Sequence, residues 1–126
     1  MRVLIVEDEA LIAMYLEKLV VEFGHEVCGI ATCARDAVEH ASTHRPDVAL
    51  IDIRLALESS GIDAARELHA RYGLRCIFVS ANLDEATRNA ALPFEPIAFV
   101  GKPILPAQLQ RALENAARAA DPRSIC

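Results

Sequence analysis

The chain has 126 residues, 53% of them hydrophobic and only 5% aromatic, with no tryptophan and a formal net charge of −5. That length fits one domain with an aliphatic core. The acidic balance, spread along the chain without a basic stripe, argues against a nucleic-acid footprint. At the start, "MRVLIVEDE" places charges after a short apolar run, which fits neither a signal peptide nor a membrane span. Cytoplasm is therefore the expected compartment. Cys28, Cys33, Cys76 and Cys126 form no C-x-x-C pair and read as reduced packing residues. His40 and His44 stand one helical turn apart, but no third ligand lies near them on that segment, so they read as a solvated helix face.

In chain order, short apolar runs alternate with longer segments of helical period. "RVLIVE" (2–7) reads as a buried strand, and 8–24 as a helix ended by Gly24. That helix carries an apolar stripe of Leu11, Ile12, Tyr15, Leu16, Leu19, Val20 and Phe23, which should pack on a sheet. Strand 25–30 and helix 34–45, stopped before Pro46, come next. Strand 47–52 leads into the loop 53–61, followed by helix 62–73 with Gly73 just past its end. Strand 75–80, a short helix 84–92 cut by Pro93, strand 97–100 and helix 106–120 complete the series. Five strands alternating with five helices predict right-handed crossovers and a five-stranded parallel sheet flanked by helices on both faces.

Ligands in such a sheet bind beyond the carboxyl ends of the strands. Strand one ends in Glu7-Asp8, strand three in Asp52 and strand four in Ser80, while strand five runs into Gly101-Lys102-Pro103. Two carboxylates about 5 Å apart repel by roughly 3 kcal/mol at an effective dielectric near 20. Three together need a cation or a raised pKa. Lys102 supplies one positive charge, and a hard oxygen-liganded ion, Mg²⁺ above all, suits the rest. An acidic cluster, a lysine, a hydroxyl and Mg²⁺ are the parts that place and neutralise a phosphoryl group, with Asp52 as a possible nucleophile.

With "VLIVEDE", "ALIDIRL", "FVSA" and "FVGKP" in these places, the chain resembles the receiver (response-regulator) domains of two-component signalling, over essentially its whole length. The resemblance implies a (βα)5 flavodoxin-like receiver fold, here over 1–121 with a short tail at 122–126, in a stand-alone, single-domain type. It implies a phosphoryl group passed from a phosphohistidine to Asp52, as in a phosphorelay. The metal would be Mg²⁺, held by Asp8, Asp52 and the backbone carbonyl of Arg54, with Glu7 acting through water. It further implies Ser80 and Lys102 on phosphoryl oxygens, a cis Lys102-Pro103 bond, and Ser80 with Phe99 as the switch pair. Arg54 and Asn82 occupy positions that tune access of water. The chain departs from the pattern at Ala56, where proline is usual, and at Gly61, one residue late, so a longer loop 54–61 is expected. Phe99 stands where tyrosine is frequent and has no hydroxyl to report through.

The implied partners are a sensor histidine kinase or histidine phosphotransfer protein and an unknown downstream protein, with no nucleic acid and no membrane. The chain itself is expected to be a monomer or weak dimer. The reading is of a signalling protein and not an enzyme. An adaptor of the same fold that works without phosphorylation is the alternative. An aspartate-nucleophile phosphatase would usually carry a second aspartate two residues after the nucleophile, where this chain has Arg54. A dinucleotide-binding module would need a Gly-rich turn after strand one, where Glu7-Asp8 would instead repel a phosphate.

Overall fold

The computed structural model describes residues 1–54 and 60–120. Ala56, the tail 122–126 and Cys126 lie outside the described residues. The chain alternates β1 (Arg2–Val6), α1 (Ala10–Glu22), β2 (Glu26–Ala31), α2 (Ala34–His44), β3 (Val48–Asp52), α3 (Gly61–Tyr72), β4 (Cys76–Ser80), α4 (Glu85–Ala91), β5 (Ala98–Gly101) and α5 (Pro106–Ala120). The five parallel strands form one sheet in the order β2-β1-β3-β4-β5.

The strands are continuous apolar runs because both faces of the sheet are covered. With a side-chain period of two, Val3, Ile5, Val48, Leu50, Ile77, Val79 and Val100 point to one face. There they meet Leu16, Leu19 and Val20 of α1 and Leu109 and Leu113 of α5. Leu4, Val6, Ala49, Ile51, Cys76 and Phe78 point the other way, onto Ala37 and Ala41 of α2 and Ala64, Ala65 and Leu68 of α3. Alanine-lined helices on that second face approach the sheet closely, and Phe78, fully buried, is the bulkiest side chain filling the layer.

Helix boundaries follow local chemistry. Ser60 caps α3, its hydroxyl accepting from the Ile62 amide at 3.0 Å, and Gly73 ends the helix at φ 63°, a conformation that suits glycine. Asp84 caps α4 by accepting from the Thr87 amide at 2.8 Å. The structure departs from the sequence reading at three points. α1 begins at Ala10 and not at Asp8, so Glu7, Asp8 and Glu9 form the β1–α1 connection. Pro93 sits inside a 3₁₀ turn, Leu92–Phe94, that extends beyond α4. In the stripe of α1, Leu11 is 81% exposed and Tyr15 39%, so only part of the expected apolar face reaches the sheet.

The thiols of Cys28, Cys33 and Cys76 are free. Burial pushes the Cys76 thiol up to about 12, which keeps it protonated and inert. His40 and His44 stack ring on ring with centroids 5.6 Å apart. Among the described residues, the metal-ligating side chains that gather in one place are instead Glu7, Asp8 and Asp52. Between β1 and β2 the register slips by one: Val3 pairs with Val27 but Leu4 with Gly29, which leaves Cys28 as the extra residue of a bulge.

The strand order places the site. The chain leaves β1 for the β2 edge and then returns to β3 on the opposite side of β1, so the order reverses between β1 and β3. α1 and α3 consequently leave that point on opposite faces, and a crevice opens beyond the strand ends. Val6 pairs with Ile51, which brings Glu7 level with Asp52. Ser80 pairs with Gly101, which delivers Lys102 next to them.

Gly61, the first residue of α3, presses on the strand it follows. Its amide donates to the Ile53 carbonyl at 2.7 Å, and a Cβ there would stand 2.0 Å from the Asp52 carbonyl oxygen. The late glycine is therefore a close-approach position. Gly61→Ala is expected to destabilise the fold by about 2–3 kcal/mol, since backbone must yield. Gly101→Ala, where an added Cβ meets nothing within 4 Å, should stay within about 1 kcal/mol of the wild type. Urea midpoints of the two variants check this; equal midpoints would contradict the contact.

Candidate functional site

The buried polar or charged residues among those described are Glu7, Asp52 and Ser80. All three stand at the carboxyl rim of the sheet, where the strands run out into polar sequence. The carboxylates of Glu7, Asp8 and Asp52 each offer an oxygen within 4.8 Å of the others. Glu7 is the innermost, 1% exposed, Asp52 is 7% exposed, and Asp8 stands at the mouth in contact with solvent.

Lys102 holds the cluster together. Its Nζ donates to Glu7 Oε1 at 2.9 Å and to Asp52 Oδ2 at 3.2 Å, across 95 and 50 residues of sequence. The Lys102-Pro103 peptide is cis, as expected. The remaining carboxylate oxygens take weaker backbone bonds: Glu9 N–H to Glu7 Oε2 at 3.3 Å and Arg54 N–H to Asp52 Oδ1 at 3.4 Å. Ser80 Oγ accepts from the Asn82 amide at 3.2 Å and donates to the Asn82 carbonyl at 3.4 Å. Its hydroxyl is thereby tied to the β4–α4 connection. Asp8, Asp52, Arg54, Ser80, Asn82 and Lys102 line an open cleft of about 650 Å³.

Two buried carboxylates share one ammonium, so the pocket carries excess negative charge. The innermost group accommodates it. Burial pushes Glu7 up to about 7, against the pull of Lys102, and the neighbouring Asp52 carboxylate pushes the same way. Burial would discharge Lys102, but the Glu7 hydrogen bond and the two carboxylates outweigh it and hold the ammonium above its usual range. Oxygen donors in an anionic pocket open to solvent match a hard divalent cation, and Glu7, Asp8 and Asp52 could hold one.

The structure thus brings together Glu7, Asp8, Asp52, Ser80 and Lys102, with Arg54 and Asn82 on the rim. Phe99 lies outside the cleft. It is half-buried in the α2–α3 layer, stacked on Phe78 with centroids 5.7 Å apart, and the Arg88 guanidinium covers it at 5.0 Å. Sequence reasoning had missed Arg88 and the contact of Gly61 with Asp52. A glycine at the start of a helix was the only sign of the latter, and Arg88 gave none.

Comparison with known proteins identifies the family. The family model for the response regulator receiver domain matches residues 3–114. The chain belongs to the response regulator receiver family. This receiver domain is 41% identical over 115 residues to the phyllosphere-induced regulator PhyR of Methylorubrum extorquens, covering 90% of this chain and 42% of that protein. It is 34% identical over 118 residues to the chemotaxis protein CheY of Thermotoga maritima, covering 93% and 98%. It also resembles the solved receiver domain of a modulated diguanylate cyclase from Desulfovibrio desulfuricans, with a TM-score of 0.86, 34% identity and 94% of each chain covered. The chain spans 42% of PhyR and 56% of another relative, the transcriptional regulatory protein PdtaR of Mycobacterium tuberculosis. Receivers are signalling domains of two-component systems, not catalytic enzymes, and the acidic cluster fits the family's metal and phosphorylation site. No described helix is long and apolar enough to cross a membrane.

The raised Glu7 pKa has a measurable consequence. Its unfolded value is near 4.5 and its folded value about 7, so the folded chain holds the extra proton between those limits. Stability contributed by Glu7 is complete below about pH 4.5 and declines as pH rises through about 7, by on the order of 3 kcal/mol for that shift. With chelator present, Glu7→Gln should lack this decline, so its stability relative to wild type rises across the window. Carboxyl ¹³C titration should place Glu7 near 7 in the wild type and lower in Asp52→Asn, where the neighbouring charge is gone. An unshifted Glu7 in the wild type would contradict the account.

Proposed function

We propose that this receiver accepts a phosphoryl group on Asp52 from a phosphohistidine of a sensor histidine kinase or histidine phosphotransfer protein, in the cytoplasm, and passes the signal by changing partner binding. The observation that carries the reading is the placement of Asp52. Its carboxylate ends β3 at the topological reversal, with Oδ2 3.2 Å from Lys102 Nζ and Ser80 on the same rim.

Asp8, Asp52 and the Arg54 carbonyl would hold Mg²⁺, with Glu7 reached through water; the clustered carboxylate oxygens fit a hard cation. When bound, Mg²⁺ supplies the positive charge that neutralises phosphoryl oxygens. The chain's own groups do the rest. An Asp52 carboxylate oxygen attacks phosphorus as the phosphorus–nitrogen bond of the phosphohistidine breaks and the imidazole departs. Lys102, held between Glu7 and Asp52 by its ammonium bonds, is placed to transfer one bond to a phosphoryl oxygen. Ser80 exchanges its Asn82 partners for another phosphoryl oxygen, which draws the 81–84 turn toward the site. Arg54 and Asn82 flank the opening and limit the water that reaches the acyl phosphate. The domain responsible is 1–121.

Intact-mass spectra after incubation with acetyl phosphate test the reading. Wild type should gain one phosphoryl group with Mg²⁺ and none with chelator, and Asp52→Asn should gain none. Labelling of Asp52→Asn, or no labelling of wild type, would overturn it; the second result favours an adaptor that works unphosphorylated. Millimolar Mg²⁺ should also raise the melting temperature of wild type more than that of Asp52→Asn, because the variant has lost a ligand. In chelator Asp52→Asn should be the more stable protein, having shed one of the repelling charges.

A further inference from the structure

Arg88 performs two contacts at once. Its Nε donates to the Leu83 carbonyl at 2.9 Å, and its guanidinium carbon stands 5.0 Å from the centroid of the Phe99 ring. Leu83 belongs to the turn that begins at Ser80 and is tied to it through the paired Asn82 bonds. Phe99 lies on β5, stacked on Phe78 of the core with an interplanar angle of 17°. Among the described residues Arg88 makes no ion pair, so these two contacts account for the placement of its head group. α4 has otherwise little hold on the molecule: Ala91 is its buried residue.

We propose that Arg88 is the coupling residue that latches the 81–84 turn to Phe99, so that movement of Ser80 is transmitted to the aromatic ring through a guanidinium. The inference rests on the phosphoacceptor reading only for what sets the turn in motion. A guanidinium suits the task because its edge and its face act independently. The Nε–H engages the carbonyl while the weakly hydrated, delocalised cation sits over the ring. Phe99 has no hydroxyl, so a hydrogen bond cannot link its side chain to the turn, and the stacked cation supplies the missing connection. When Ser80 turns toward the site and releases Asn82, the turn draws the Leu83 carbonyl with it. Arg88 then leaves the ring, and Phe99 is free to repack against Phe78.

The coupling is testable without phosphorylation. Backbone amide order parameters by NMR at residues 81–84 should fall from about 0.85 to below about 0.6 in Arg88→Ala. Phe99→Leu should loosen the same amides although it does not touch them, and the double variant should loosen them no further. Arg88→Lys keeps the charge but loses the flat face and the fixed donor, and should behave as Arg88→Ala. Unchanged order parameters in β1 and β3 report an intact fold. A second arm adds Mg²⁺ and beryllium fluoride, a phosphoryl mimic. In wild type the amide of Ser80 and the ring carbons of Phe99 should both shift; in Arg88→Ala only Ser80 should. Rigid 81–84 amides in Phe99→Leu, additive effects in the double variant, or a Phe99 response that survives Arg88→Ala would each overturn the latch. A wild type whose Ser80 amide ignores the mimic would instead count against the phosphoacceptor reading, and the unligated comparison would still decide the role of Arg88.

Discussion

One half-buried ammonium between two buried carboxylates sets the terms for this fold. Lys102 reaches Glu7 and Asp52 from three different strand ends, so β1, β3 and β5 must hold their register for the contact to exist. The charges do not balance, and a buried ion pair is seldom a net source of stability once desolvation is counted. The pocket is kept at a cost to the fold, and its excess negative charge is what makes it receptive to a cation and to a phosphoryl group brought with one. Stability comes from elsewhere, from two aliphatic layers that enclose the sheet and stop at its rim.

Much of the site was legible because strand periodicity carries past the last hydrogen-bonded residue. Glu7 stands two residues after Ile5, Asp52 two after Leu50 and Lys102 two after Val100, and those three apolar residues share one face of the sheet. The order of elements and the convergence of four strand ends followed from residue types and spacing, and the cis Lys102-Pro103 bond from the resemblance to receiver domains. Which acid of the Glu7-Asp8 pair is buried did not. Both favour the start of a helix, so the sequence could not separate a first turn from the connection before it. The seven-residue apolar stripe of α1 was wider than the face a helix can bury, and the sequence alone did not say which edge stays in water; Leu11 and Tyr15 do. The contacts of Gly61 and Arg88 depend on where the backbone passes, and no local pattern encodes that.

The two faces of the sheet divide the labour. The α1–α5 face is filled by leucine and valine, and the opposite face by alanines of α2 and α3 against Ile51 and Phe78. Phe99 joins the second layer at its margin, where α4 is short and lightly anchored. Low local stability is therefore placed beside the aromatic ring and away from the carboxylates, whose positions are fixed by central strands. A rigid reactive centre and a pliable margin are joined by the single turn between β4 and α4.

The bulge in β2 bears on how the molecule behaves in crowded surroundings. β2 is an edge strand, and an open edge invites another chain to add to the sheet, the route to misassembly and fibre growth. Because Cys28 is skipped in the ladder, the edge runs in unbroken register for two residues on one side and three on the other. An incoming strand in extended geometry falls out of step at Cys28 wherever it begins. Exposed Glu26 adds a charge at the start of the same edge. The irregularity that looks like a flaw in β-pairing thus acts as a guard, closing this edge to strangers while leaving the carboxyl rim open.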